Sequence, residues 1–154
     1  MGWVAAGQHA TKIQHLQMMS TVSASVPTQL AIAEYLSLGG YDNHLRKLRL
    51  TMEQRQHQML SAIAKYMPQS VKVNTPKGGY FLWLEFEPPF NAIRLYQLAL
   101  KEGISIAPGS MFSTSDQFNH AFRLNASFTW SERVEEAMKT LGRLCHFLIN
   151  ERRD

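Results

Sequence analysis

The sequence predicts an α+β fold: a small sheet with helices packed on one side, reached through one long helix. Three observations carry that expectation. Apolar residues at Tyr41, Leu45, Leu48, Met52, Met59, Ile63 and Tyr66 fall at intervals of four, three and seven, which is one stripe of a single long helix. Beyond Pro68 the period changes to alternation, in "VKVNT" and again in "AFRLNAS". Helical periodicity then returns in "NAIRLYQLALKEG" and from Ser131 onward. At 154 residues, 45% hydrophobic and 18% charged, the chain has the length and composition of one ordinary globular domain, or of a small domain with an appendage.

Each element follows from its own local chemistry. "GWVAAG" is a short apolar stretch between glycines and reads as a strand end running into a turn. "QHATKIQHLQMMST" spaces Ile13, Leu16 and Met19 three apart, as in a helix. The next helix opens at Ser25 and Pro27 and closes on Gly39-Gly40. The long helix runs from Tyr41 to Met67, with Asp42 in its first turn and Pro68 as its stop, a length of roughly 40 Å at 1.5 Å per residue. Helices of that length commonly join two lobes. "VKVNT", the turn "PKGG" and "YFLWLEF" form a hairpin whose second strand, apolar on both faces, is expected to be well buried, and Pro88-Pro89 ends it. Asn91 caps the following helix and Gly103 stops it. "ISIA" is a short strand, Pro108-Gly109 begins a loop, and "AFRLNAS" is the last strand. Val134, Met138, Leu141, Leu144 and Leu148 mark a terminal helix.

The net charge of +4 raises the question of nucleic acid, but the charges are not arranged for it. Basic residues gather at Arg46, Lys47 and Arg49 and at Arg152 and Arg153, on polar helix faces, without zinc-finger spacing, an RNA-recognition signature or a basic-leucine array. Such a balance speaks to solubility and weak association. No apolar run is long enough to cross a bilayer, and the N-terminus lacks a charged-then-apolar signal pattern. A single cysteine, Cys145, makes a cytoplasmic setting the simplest reading. It sits beside Leu141, Leu144 and Leu148, a packing position and not a nucleophile's. The six histidines show no paired ligand spacing, so no metal site is expected.

The stretch "HAFRLNASF" holds the residue of greatest interest. Alternation puts Phe122, Leu124, Ala126 and Phe128 on one face and Arg123, Asn125 and Ser127 on the other. A guanidinium there stays charged at any working pH and presents planar donors that match a carboxylate in two parallel bonds. Two roles are open to Arg123 from the pattern: an anchor for an anionic ligand, or an ion pair with one of the 12 acidic residues.

Taken together, "GWVAAG", "YDNHLRKLR", "PKGGYFLWLEF", "GISIAPGSMFS" and "FRLNASF" resemble the C-terminal part of a fold-type-I, pyridoxal-phosphate-dependent aminotransferase, over nearly the whole chain and in the family's order. "SIAPGSMFS" and "TWSER" further resemble the MocR/GntR type of bacterial regulator, in which a winged-helix DNA-binding domain precedes an aminotransferase-like domain. The resemblance implies that residues 1–40 are the remnant of the large cofactor-binding lobe, a strand end and two helices, and that residues 41–154 are the small C-terminal domain with its interdomain helix. It implies that Arg123 holds the α-carboxylate of an amino acid or 2-oxo acid, with Tyr80 and Asn125 as weaker supporting positions. It also implies pyridoxal phosphate in the longer parent protein. The Schiff-base lysine and the serine and arginine that hold the phosphate would fall upstream of Met1, and none of Lys12, Lys47, Lys65, Lys72, Lys77, Lys101 or Lys139 has a matching context. No catalytic residue and no tight cofactor binding are therefore expected of this chain alone. Pro108, Gly109, Gly78 and Gly79 are turn formers in this reading.

Three functions follow as expectations: the aminotransferase-like domain of a transcriptional regulator, the C-terminal domain of a free-standing aminotransferase, or an interaction module that has lost the chemistry. The first is favoured. The parent would then meet DNA through its separate N-terminal domain and an amino acid through this fold. The resemblance further implies exposed apolar surface on the first forty residues, as pieces of the large lobe severed from their sheet neighbours, and with it a homo-oligomer, with no membrane partner.

Overall fold

A computed structural model describes residues 2–76, 78–115 and 117–151. The expectations for Lys77 in the turn and for Arg152 and Arg153 lie outside these residues. The elements are α1 (Ala10–Thr21), α2 (Val26–Ser37), α3 (Gly40–Tyr66), β1 (Lys72–Asn74), β2 (Phe81–Glu85), α4 (Ala92–Lys101), β3 (Ala107–Pro108), β4 (Ala121–Asn125) and α5 (Glu132–Asn150), with short 3-10 turns at Gly7–His9 and Gly109–Phe112. The α+β class is as expected. Compactness divides the chain into two units, Met1–Lys47 and Leu48–Asp154, a division that falls inside α3.

In the first unit, α1 and α2 form where periodicity and the Ser25-Val26-Pro27 start place them, with Pro27 at the head of α2. Neither helix buries a residue: Leu16, Met19 and Leu30 all face outward. Gly39 ends α2 with φ +70°, the left-handed conformation that favours glycine. Gly40 has a different task from the expected stop, since it is the first residue of α3. A Cβ there would lie 2.7 Å from the Tyr35 ring, whose hydroxyl donates to the Gly40 carbonyl at 3.2 Å. The strand expected in "GWVAAG" does not form; residues 2–6 run into the 3-10 turn instead. A strand needs a neighbour to satisfy its backbone, and every strand among the described residues lies between Lys72 and Asn125.

The second unit holds the core. Its antiparallel sheet has the order β1-β2-β4-β3. Registers Val73↔Leu84 and Leu84↔Phe122 align one row of side chains, and Leu82↔Leu124 a second. These residues meet Met59, Ala62 and Ile63 of α3, Leu95 and Ala99 of α4, and Met138, Leu141 and Leu144 of α5 in one cluster. Burial of an aliphatic or aromatic side chain contributes about 1.5–3 kcal/mol, and this cluster is the chief source of stability in the unit. Of the α3 stripe only Met59 and Ile63 are fully buried, joined by Gln56 and Ala62. Cys145 is buried as expected, and burial pushes its thiol pKa up, out of the reactive range.

Both capped helices of this unit begin where expected. Asn91 Oδ1 accepts from the Arg94 amide at 2.9 Å, and Ser131 Oγ accepts from the Val134 amide at 3.3 Å. Asn91→Ala is expected to cost about 1 kcal/mol. Thermal denaturation followed by circular dichroism should show the midpoint fall by about 3 °C; an unchanged midpoint would mean that the cap carries no net energy.

At the far end of α3, the Tyr66 hydroxyl donates to Glu135 of α5, and Lys65 Nζ lies 3.3 Å from the same carboxylate. The Tyr66 hydrogen bond is the main reason that the Glu135 pKa is held below the usual glutamate value. Its ionised form thus stabilises the fold above that value, and the contribution disappears as pH falls through the lowered folded pKa. Glu135→Gln is expected to lower the urea midpoint slightly near neutrality, the pair being solvent-screened. The gap to wild type should close as pH falls below the ordinary glutamate range. A gap that stays constant with pH would exclude an ionic origin.

Two expectations for the sheet need correction. "ISIA" was expected as a strand, but only Ala107 of it pairs, with Pro108 completing β3. Ile104 is held differently, its amide donating to the Ala99 carbonyl at 2.9 Å as part of the α4 stop. Phe128 was expected on the buried face and is instead 58% exposed. The chain leaves β4 at Asn125, whose Oδ1 accepts from the Ser127 amide at 2.8 Å, and this turn ends the alternation two residues early.

Candidate functional site

The sheet has two unlike faces. Leu82, Leu84, Phe122 and Leu124 lie under the helices, whereas Phe81, Trp83, Arg123 and Asn125 share the other face. The register puts Asn74, Trp83, Arg123 and Ala107 in one transverse row, so Arg123 stands on a central strand between Trp83 and Ala107. This is the face opposite Phe122 and Leu124, the one predicted for it.

The surroundings of Arg123 are aromatic. Its guanidinium carbon lies 3.9 Å from the centre of the Phe81 ring and 4.2 Å from that of Phe112. Among the described residues it pairs with no carboxylate, although the ion pairs Lys65–Glu135, Arg94–Glu151, Lys139–Glu136 and Arg143–Glu102 form elsewhere. Among the described residues, then, the ion-pair role left open by the pattern has no carboxylate to fill it. A cavity of about 320 Å³ opens beside the guanidinium, lined by Phe81, Tyr96, Ser105, Met111, Arg123 and Asn125 together with Ile106 and Ala107.

Local backbone chemistry holds this face in place. Phe112 belongs to the 3-10 turn after β3, and that turn begins at Gly109, where a Cβ would fall 2.4 Å from the Phe118 carbonyl oxygen and 2.9 Å from that of Ala121. Only glycine lets the segment before β4 approach so closely. Trp83 then meets Phe112 and Phe118 edge-on, with centroids 6.0 and 5.5 Å apart. On the far side, Arg55 of α3 donates to the Ser127 carbonyl and, at 2.9 Å, to Thr129 Oγ1, tying the turn after β4 to the helix.

Of the supporting positions, Asn125 lines the cavity while its side chain is engaged in the turn. Tyr80 stands apart: it lines a different cavity with Leu48, Met52, Gln56 and Gly79, and it touches the Arg123 site through its ring contact with Phe81, at 4.5 Å between centroids. Sequence reasoning missed Phe81, Trp83, Phe112 and Phe118. The signal was present in "YFLWLEF", whose second apolar face was ascribed to burial. That face is only half-covered, and Phe81 and Trp83 use it to floor the arginine site.

The model for aminotransferase class I and II matches residues 1–141 of this chain. The chain belongs to that family. Its relatives include the uncharacterized HTH-type transcriptional regulator YdcR of Escherichia coli, 50% identical over 144 residues, which cover 94% of this chain and 31% of that protein. YjiR of the same organism, also an uncharacterized HTH-type transcriptional regulator, is 31% identical over 92% of this chain and 30% of its own length. Among solved structures, the α-aminoadipate aminotransferase LysN of Thermus thermophilus, complexed with N-(5'-phosphopyridoxyl)-L-leucine, superposes with a TM-score of 0.84 at 25% identity, over 96% of this chain and 38% of LysN. This aminotransferase-family chain thus spans about a third of the length of the curated relatives that it matches. The small sheet with its long helix is the C-terminal part of the pyridoxal-phosphate-dependent transferase fold, as the sequence predicted.

The residues around the cavity suit a carboxylate and do not suit pyridoxal phosphate. They offer one guanidinium fork, with the Asn125 amide and the hydroxyl-bearing Tyr96 and Ser105 in the same lining, but no lysine that could hold an aldehyde covalently. Among the described residues no group of three or more histidine, cysteine or acidic side chains could hold a metal ion, and no helix is long and apolar enough to cross a membrane.

Proposed function

We propose that this chain is the carboxylate-binding part of an aminotransferase-like domain in a transcriptional regulator, with Arg123 gripping the α-carboxylate of an amino acid or 2-oxo acid. The observation that carries the reading is a half-buried guanidinium that has aromatic neighbours, no acidic partner among the described residues, and a cavity at its side. A fork-to-fork pair with a carboxylate supplies two charge-assisted hydrogen bonds and fixes the ligand's orientation as well as its position. Burial on the sheet side lowers the local dielectric and strengthens that pair relative to one in bulk water.

The regulator reading is supported by the 50% identity to a protein named as an HTH-type transcriptional regulator. In this reading the longer parent is cytoplasmic and binds DNA through a separate domain. Its pyridoxal phosphate would be held by a lysine in the parent's large lobe, upstream of this segment, and the parent would assemble as a homo-oligomer. A free-standing aminotransferase is the second reading, favoured by the likeness to LysN and by 26% identity to an aromatic-amino-acid aminotransferase of Thermococcus litoralis. Sequencing the gene upstream separates the two: a winged-helix coding segment supports the regulator, and an aminotransferase large lobe at the start of the reading frame supports the enzyme.

The cofactor assignment has its own test. The purified chain is titrated with pyridoxal phosphate, reduced with borohydride, and mapped by mass spectrometry. Weak, scattered lysine labelling is expected. Stoichiometric labelling of a single lysine would overturn the assignment.

A further inference from the structure

We infer that Phe81 and Phe112 are positioning residues for Arg123: the two rings hold the guanidinium in the orientation in which it receives a carboxylate. The inference rests on the carboxylate role proposed above and adds to it the means by which the fork is aimed. An arginine side chain has many rotamers and loses entropy when one is selected, so an arginine with no acidic partner among the described residues would ordinarily sweep through solvent. Here the guanidinium carbon lies over both rings, at 3.9 and 4.2 Å. Both contacts are with ring faces, where a cation is attracted by the quadrupole. They leave the N–H edges as the route for a ligand's hydrogen bonds.

The two rings come from different elements, which makes the arrangement a consequence of the fold. Phe81 is the first residue of β2 and pairs in register with Asn125, two strand positions from the Trp83–Arg123 pair and so on the same face. Phe112 is delivered by the 3-10 turn that Gly109 allows, and Trp83 supports it edge-on. Phe81 and Phe112 are 37% and 45% exposed, so neither ring belongs to the core under the helices, and the arginine is a contact that both share.

The test follows the arginine side-chain NMR signals of the whole 154-residue chain during titration with propionate. In the wild type, ring currents should displace the Arg123 Nε–H signal, and propionate should shift it saturably. Phe81→Leu and Phe112→Leu should each relax the ring-current displacement and weaken propionate three- to tenfold. Phe112→Tyr keeps a ring face and should retain both the displacement and the affinity. A general loss of packing would not spare the tyrosine variant or act selectively on this one signal. Unchanged propionate affinity in both leucine variants would overturn the positioning role while leaving Arg123 as the anchor. A wild-type Arg123 signal that ignores propionate would overturn the carboxylate reading, and the positioning role with it.

Discussion

Arg123→Gln is expected to weaken carboxylate binding by at least tenfold. The substitution keeps hydrogen-bonding capacity and removes the charge and the second parallel bond. Hydrogen bonds to charged groups contribute about 1.5–3 kcal/mol each, so losing even one accounts for a factor of ten or more. Arg123→Lys separates charge from geometry: an ammonium restores the point charge but not the planar fork, and should recover only part of the affinity. Isothermal titration with propionate or a short 2-oxo acid measures all three proteins. The stability cost of Arg123→Gln should stay near or below about 1 kcal/mol, because the residue makes cation–π contacts and no ion pair among the described residues. Equal affinity in wild type and Arg123→Gln would remove Arg123 from the site.

Gly142→Ala is the substitution expected to damage the fold most for the smallest chemical change. In an exposed helix this replacement would stabilise by about 1 kcal/mol through propensity alone. Here α5 passes so close to the end of α3 that a Cβ on Gly142 would lie 2.3 Å from the Tyr66 carbonyl oxygen and 2.9 Å from its carbonyl carbon. Both are backbone atoms, which cannot swing aside as a side-chain tip can, so the helices must part. They are also tied together at this point by the Tyr66–Glu135 hydrogen bond and by the core contacts of Ile63, Met138 and Leu141. Overpacking a well-filled interface costs typically 1–3 kcal/mol, and a backbone clash belongs at the upper end. After the propensity gain is subtracted, a net loss of about 2 kcal/mol is expected, read as a lower urea midpoint at unchanged slope. A midpoint raised by the substitution would mean that α3 and α5 do not approach this closely in solution.

The site was partly legible before the structure. Alternation in "AFRLNAS" put Arg123 on the face away from Phe122 and Leu124, and the sheet register bears that out. What alternation could not supply was the identity of the neighbours on that face. Phe112 comes from a turn eleven positions earlier in the chain, and Phe81 from a strand more than forty positions earlier. Their convergence depends on strand pairing and on the close approach at Gly109, neither of which leaves a periodic trace. The second apolar face of "YFLWLEF" was the one visible clue, and burial was the default explanation for it.

By itself the sequence determined the elements whose signals are local. The caps at Asn91 and Ser131, the stops at Gly39 and Gly103 and the stripes of α3 and α5 depend on atoms within a few residues of one another. Family membership was likewise written in short blocks in order, independent of how they pack. Tertiary structure decided what depends on a neighbour: that residues 2–6 form no strand, that "ISIA" pairs only at its last residue, and that Phe128 turns outward. Strands are completed by hydrogen bonds to a distant chain segment, while a helix satisfies its own backbone. An arginine acquires a function in the same way, from the groups that other strands and turns bring to its edge.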